Sequence, residues 1–425
     1  MPQLPPRLAR LWSRLLEPRV LLTLLLLAAL LVRIAWLTLP ANSLIFDEKY
    51  YVNAARVLLG WTVQPGAPYA GSPVGLDPNT EHPPLGKLLM ALSMAIFGDN
   101  GLGWRLPSVI AGMVALGALF AIVRSAGESF RLGLLVVGLV AFENLSLVHG
   151  RIGTLDMLVL APLLVGAALA LRGHWAAAGA LTGLALLVKL TAIYGLLALL
   201  ILAVLGLLSV WRRERRLRWV DLRPLGLTVL TFLVVGLGGL WLLDMRFSSF
   251  SNPFEHLRHM IDYGAHLARS VIGPGPCPSN DSTPWQWLVN ECQMSYLRVD
   301  VTIKAGVKII SAQSPIDFRG LINPVLLGAL PLAFVCTGWL AFAQRNRLAV
   351  WSLVWAAANY LPYLVLALVS ERVMYLYYFL PVIPALAIAV ALTLRRSGLP
   401  RVVTWGYLAA FLLAFAAYFP FRQIP

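Results

Sequence analysis

A succession of long apolar runs decides what this chain can fold into. They lie at 20–40, 105–124, 131–149, 155–171, 175–189, 191–210, 224–243, 320–342, 348–369, 373–394 and 402–420. A helix needs roughly 20 apolar residues to cross a bilayer. Inside lipid the backbone must satisfy its own N–H and C=O groups, so such runs have to be helical. The expected fold class is an all-α polytopic membrane protein with about eleven transmembrane helices. Composition agrees, with 59% hydrophobic and 12% charged residues, far from a soluble domain. The segment LGKLLMALSMAIFG at 85–98 is too short to span. It is expected to lie flat on the outer surface, a second interfacial helix after one at 47–60.

Basic residues orient the spans. Arg7, Arg10, Arg14 and Arg19 precede the first run, and no small-x-small cleavage pattern follows it. That run reads as a signal anchor with its N-terminus inside. The same side then receives Arg124, Arg131, Arg172, the cluster WRRERRLRWVDLR at 211–223, Arg345, Arg347, Arg395, Arg396 and Arg401. This is the positive-inside pattern. The formal charge of +15 therefore anchors the chain to anionic headgroups, and nucleic acid is not a partner. Of the acidic residues, only Glu17, Glu128, Glu214 and Asp221 fall inside, and Glu143 lies within a span. The rest gather at the outer face. We expect one membrane domain over 1–425, multi-pass in the plasma membrane, with a first outer loop at 41–104 and a large one at 244–319. The C-terminus is expected outside.

Chemistry should therefore sit on the outer face. Ionisable residues recur there at the end of almost every span: Asp47 and Glu48, EHPPLGK at 81–87, GWRLPS at 103–108, HGRIGTLDM at 149–157, Lys189, and SERVMYLYYFLP at 370–381. Charges at the hydrocarbon boundary are costly, so they pair or mark a functional cavity. The mix suits transfer of a sugar from a lipid phosphate to a hydroxyl. Such a step needs a base for the acceptor proton, here Asp47 or Glu48. It also needs cations for a phosphate that gains charge as it leaves, here Arg105, Arg151, Lys189 and Arg372. A base at the bilayer edge could meet a polyprenyl head whose tail stays in lipid.

A family pattern follows from these residues. Asp-Glu after the first span, then HPPLGK, WRLPS, RIGTLD and ERVMYLYYFLP in order, resembles the protein O-mannosyltransferases and the wider GT-C class of polyprenyl-phosphate-sugar transferases. PFEHLRHMIDYGAHL to PWQWL is similar to their large outer loop, although the loop here is too short to hold a β-trefoil domain as well. The related aminoarabinose transferases use KPP where this chain has HPP. The resemblance implies a GT-C fold and transfer of a sugar, mannose by this match, from a polyprenyl-phosphate carrier to a protein Ser/Thr hydroxyl. A glycolipid or cell-wall acceptor is the alternative. It further implies Asp47 as the catalytic carboxylate, Glu48 as its neighbour, Arg105 and Asp156 as functional residues, and Lys189 at the donor phosphate. Tyr375 and Arg372 fall in the late motif. No cofactor beyond the lipid-linked donor is required, and a dimer is compatible.

Each residue also has a plainer reading. Asp47 and Glu48 could cap the 47–60 helix. HPP could be a helix stop that leaves His82 without chemistry. Lys87 could snorkel to headgroups instead of meeting phosphate. Glu255, His259, Asp262 and His266 share one helix face by their 4-3-4 spacing and could hold a divalent metal. The favoured reading of that face is the polar side of an amphipathic helix. Cys277 and Cys292 share an oxidising outer loop and could pair as a disulfide, while Cys336 reads as a packed thiol within a span. Trp61, Trp285 and Trp287 read as interfacial belt residues. A transporter or flippase, the non-enzymatic reading, would place more charges near mid-membrane.

Overall fold

The computed structural model describes residues 17–41, 43–267, 277, 280–305, 308–396 and 398–419. Arg7, Arg10 and Arg14, expected at the inner face, lie outside the described residues. Each apolar run carries a helix. In chain order these are α1 Pro18–Ile34, α2 Glu48–Leu59, α3 Leu85–Phe97, α4 Gly101–Ser125, α5 Phe130–Ala141, α6 Asn144–His149, α7 Asp156–Leu171, α8 Trp175–Leu186, α9 Ala192–Glu214, α10 Arg223–Phe247 and α11 Pro253–His266. A four-residue turn of helix, α12 Pro284–Trp287, precedes a hairpin of β1 Met294–Ala305 and β2 Lys308–Gly320. Then follow α13 Pro324–Gly328, α14 Leu330–Phe342, α15 Arg347–Val369, α16 Ile383–Arg396 and α17 Arg401–Ala417.

Five helical segments among the described residues are long and apolar enough to cross a membrane: Gly101–Ser125, Ala192–Glu214, Trp219–Phe247, Arg347–Val369 and Leu376–Arg396. Two of the apolar runs are interrupted. The run at 131–149 breaks at Phe142, and Glu143 caps α6 by accepting from the N–H groups of Leu145 and Ser146. It accepts a third bond from Asn323 N at 2.9 Å. The one carboxylate expected inside a span thus serves the broken backbone, as lipid requires. The run at 373–394 opens as a 3-10 turn over Leu376–Val382 before α16 begins.

Close helix contacts rest on small residues. A Cβ on Gly183 of α8 would lie 2.9 Å from the Gly236 nitrogen of α10, so this crossing admits only glycine. Helix α16 is enclosed on all sides, with every residue from Ile383 to Thr393 buried.

The segment 244–319, expected to be an outer loop, departs from its expected form. It holds the helix α11, but β1 and β2 form an antiparallel ribbon that the polar reading of this loop did not anticipate. Cys277 and Cys292 are joined by a disulfide. Cys336 in α14 is a half-buried free thiol. Trp285 is exposed, but Trp287 is not a belt residue. It is fully buried under the rings of Tyr360, Tyr363 and Tyr378, and its indole N–H donates to Ser282 Oγ. It plugs the outer segment onto the helices.

Candidate active site

The chain leaves α1, turns at Ile45–Asp47 and enters α2, so Asp47 and Glu48 part company within one residue. Glu48 points inward and is fully buried. Its Oε1 accepts from Arg105 Nε and Gly153 N, both at 2.8 Å. Its Oε2 accepts from Arg105 Nη2 at 2.9 Å and Ile45 N at 2.7 Å. Two donors per oxygen exhaust a carboxylate. Arg105 is equally consumed. Its remaining N–H groups go to the carbonyls of Leu37, Leu39 and Ser43 at 2.7, 2.9 and 3.2 Å. Glu48 therefore has no lone pair for an acceptor proton, and Arg105 has no N–H for a phosphate. The pair instead fixes the segment that carries Asp47.

Asp47 stands at the N-cap position of α2 without making a capping bond, so the plain capping reading does not describe it. No hydrogen bond from a described residue reaches its carboxylate. It lies in the field of Lys189, Asp156 and Lys49, and burial pushes its pKa up to about 7 against the pull of Lys189. Desolvation disfavours the charged form of an acid. A carboxylate held near 7 is suited to general-base work at neutral pH.

Opposite it, Lys189 occupies the break between α8 and α9. Its ammonium donates to Asp156 Oδ1 at 2.7 Å and lies over the rings of Tyr377 and Tyr378, 5.3 and 5.8 Å from their centroids. Asp156 opens α7. Its Oδ2 faces His149 Nδ1 at 3.3 Å. Arg372 comes from the loop before the late 3-10 turn. Its buried Nε has no hydrogen-bond partner among the described residues, and its guanidinium packs against Gly264 of α11. Val373 N donates to Leu267 O and Met374 N to Asp281 Oδ1, which ties this loop to the outer segment. Tyr375 stacks on Tyr377, ring centroids 5.4 Å apart.

His82 joins this group. Its ring lies 5.9 Å from that of Tyr51. Burial first, then the cations Lys189 and Lys87, holds its pKa well below the usual imidazole value, so it is neutral. Lys87 does not join. It is fully buried, pairs with Asp77 Oδ2 at 2.6 Å and donates to the carbonyls of Asn79 and His82. It neither snorkels nor offers a free N–H to a phosphate; it pins the HPP loop. Arg151 is 2% exposed and donates to the carbonyls of Val32 and Ala35 at the end of α1. The metal candidates also disperse. Glu255 bonds Ser251, His259 bonds Thr80, Asp262 faces Arg258, and His266 bonds the carbonyl of Asp262. No metal-binding group of His, Cys, Asp and Glu occurs among the described residues.

Two residues of this neighbourhood were not singled out in the sequence: His149, inside the quoted HGRIGTLDM, and Tyr296 of β1, whose hydroxyl meets His149 Nε2 at 2.5 Å. Beside the polar cluster runs an apolar groove of about 460 Å³, lined by residues of α3, α4, α7 and α8, among them Leu89, Ile96, Ile110 and Leu184, and by Val188. Val188 immediately precedes Lys189. The groove and the cationic cluster are therefore adjacent.

Residues 81–237 match the family described as dolichyl-phosphate-mannose-protein mannosyltransferase. The polyprenol-phosphate-mannose–protein mannosyltransferase of Corynebacterium glutamicum is 26% identical over 99% of this chain and 92% of its own length. The chain is thus similar to that family over these residues, and to this relative along nearly its whole length. The protein of the same description from Mycobacterium tuberculosis is 36% identical over 32% of this chain and 24% of its own. The GT-C fold is seen in the Saccharomyces cerevisiae protein O-mannosyltransferase Pmt1–Pmt2 complex bound to the sugar donor, with TM-score 0.70, 12% identity and coverage of 95% of this chain and 90% of that one. It is seen also in ArnT from Cupriavidus metallidurans bound to undecaprenyl phosphate, with TM-score 0.60 and 21% identity, over 93% of this chain. This chain spans 63% of the ArnT chain.

Proposed function

We propose that this multi-pass membrane glycosyltransferase moves mannose from a polyprenyl-phosphate carrier to a Ser/Thr hydroxyl of a protein on the extracytoplasmic face. The observation that carries the reading is the split within the Asp47–Glu48 pair: one carboxylate has all its lone pairs taken, and its neighbour is left open and protonatable near neutral pH. Asp47 accepts the acceptor hydroxyl proton as that oxygen attacks the anomeric carbon. The bond to the phosphate oxygen breaks, and its electron pair leaves with the phosphate. A single displacement inverts the anomeric configuration. Lys189 and Arg372 stabilise the departing charge, which is worth more in a water-poor site than in water. Asp156 orients Lys189, and the apolar groove beside Val188 takes the isoprenoid tail. In this reading 41–104 and 244–319 face outward, and the basic loops lie inside. The names of the Corynebacterium and Mycobacterium relatives support the donor and the acceptor.

The test uses purified protein in lipid with labelled polyprenyl-phosphate mannose, a Ser/Thr-rich peptide and total membrane lipid. Label in the peptide fraction is the expected result. Label in lipid keeps the mechanism and moves the acceptor. No consumption of donor overturns the reading.

A further inference from the structure

The hairpin reaches the site through one side chain. In the register, Met294 faces Gly320, Ser295 faces Arg319 and Leu297 faces Phe318. Tyr296 is thus an extra residue, a bulge in β1. Bulges break pairing and re-aim a side chain. Gly320 makes room for it: a Cβ there would lie 2.1 Å from the Tyr296 ring. The ring is 3% exposed. It stacks on Phe318 and meets Phe46 edge-on, with centroids 5.2 and 5.0 Å apart. Phe46 immediately precedes Asp47.

The hydroxyl continues the path. His149 Nδ1 faces a carboxylate oxygen of Asp156 at 3.3 Å, and an ionised carboxylate only accepts. Nδ1 therefore carries the proton, shared with Thr154 Oγ1 at 3.3 Å. In the neutral ring Nε2 is then the acceptor for Tyr296 O–H. The order is Tyr296 O–H to His149 Nε2, His149 Nδ1 to Thr154 Oγ1 with Asp156 Oδ2 also 3.3 Å away, and Lys189 N–H to the other oxygen of Asp156. His149 is fully buried, and its ring meets that of Tyr296 edge-on and lies tilted against that of Tyr377.

We infer that Tyr296 and His149 are positioning residues through which the outer hairpin sets Asp156, and so Lys189, for the donor phosphate. The inference rests on the proposed function for what Lys189 holds. It makes the hairpin part of the donor site, not only a cover over it. A cation over a phosphate is useful only in its place, and Asp156 can hold Lys189 in one place only if its second oxygen is also fixed.

Tyr296→Phe removes the hydroxyl and keeps the ring on Phe46 and Phe318. In wild-type and Y296F protein in lipid, kinetics are measured with polyprenyl-phosphate mannose and peptide. Binding of sugar-free polyprenyl phosphate is measured alongside, with Tm. The expected result is a donor KM raised about tenfold, a similar weakening of polyprenyl phosphate binding, an acceptor KM unchanged within about twofold, and a Tm lowered only by the loss of one buried hydrogen bond. Unchanged donor KM and binding would overturn the link. So would a loss confined to acceptor KM or Tm, which marks a hairpin that only packs. Wild-type protein that fails to transfer label would sink the functional reading. Polyprenyl phosphate binding would then still decide the link, because Y296F must weaken it.

Discussion

Two groups of charge sit side by side around the start of α2, and they are built in opposite ways. The Glu48–Arg105 and Lys87–Asp77 pairs are closed: buried, directly paired and supplied with backbone partners. The group of Asp47, His82 and Arg372, beside the Lys189–Asp156 pair, is open, with a carboxylate and a guanidinium Nε that no described residue satisfies. Closed pairs fix loops. Open charges cost stability, and they persist where they meet something that is not part of the chain.

Glu48→Ala should be the most damaging change, because it strands the Arg105 guanidinium in the interior. Losing one partner of a buried pair costs about 3–5 kcal/mol. Thermal unfolding in detergent should show it as a collapse of folded yield, and a fully stable variant would move Glu48 out of the closed group. Arg372→Met should do the reverse, lowering kcat/KM for the donor about a hundredfold at unchanged Tm. A fallen Tm would make Arg372 structural.

A pH series sharpens the contrast next. As the proposed base, Asp47 would work only when ionised, so kcat should climb about tenfold per unit up to pH 7 and then level off. The stability sign runs the other way. The folded state holds this proton more tightly than the unfolded chain, so Asp47's contribution to stability falls as pH rises from the ordinary carboxylate range to about 7, and is flat above. Asp47→Asn should remove that decline from the Tm profile, and an unaltered profile would mean that the group is not buried with its proton. The smallest effect is expected from Gly264→Ala. Its Cβ would come 3.3 Å from the Arg372 guanidinium, which must give by a few tenths of an ångström. Donor KM should rise about twofold while helix propensity raises stability by up to about 1 kcal/mol. Lower stability would show that the guanidinium cannot yield.

How much of this was legible depends on the range of the forces. The helices could be read from the chain because lipid imposes its demand on every span locally. The breaks at Phe142 and before Ile383 could not, since Asn323 supplies the bond that steadies Glu143 from 180 residues away. The same limit hid the division between Asp47 and Glu48. As neighbours they look alike, and only Arg105 and Gly153, brought in by the fold, decide which one is consumed. Lys87 was misjudged for the same reason, as Asp77 could not be seen to meet it. The hairpin did leave a signal, the alternation RVDVTIK before Ala305, which favours a strand. Its polar surroundings drew attention to loop and helix instead.

The most direct test of the account is single-turnover transfer by Asp47→Asn beside the wild type, with saturating polyprenyl-phosphate mannose and peptide. Asparagine keeps the shape and cannot take the proton. The account predicts donor bound as in the wild type, an intact fold, and a transfer rate lower by about a thousandfold or more. Transfer at a rate near that of the wild type would contradict it, and would place the base elsewhere.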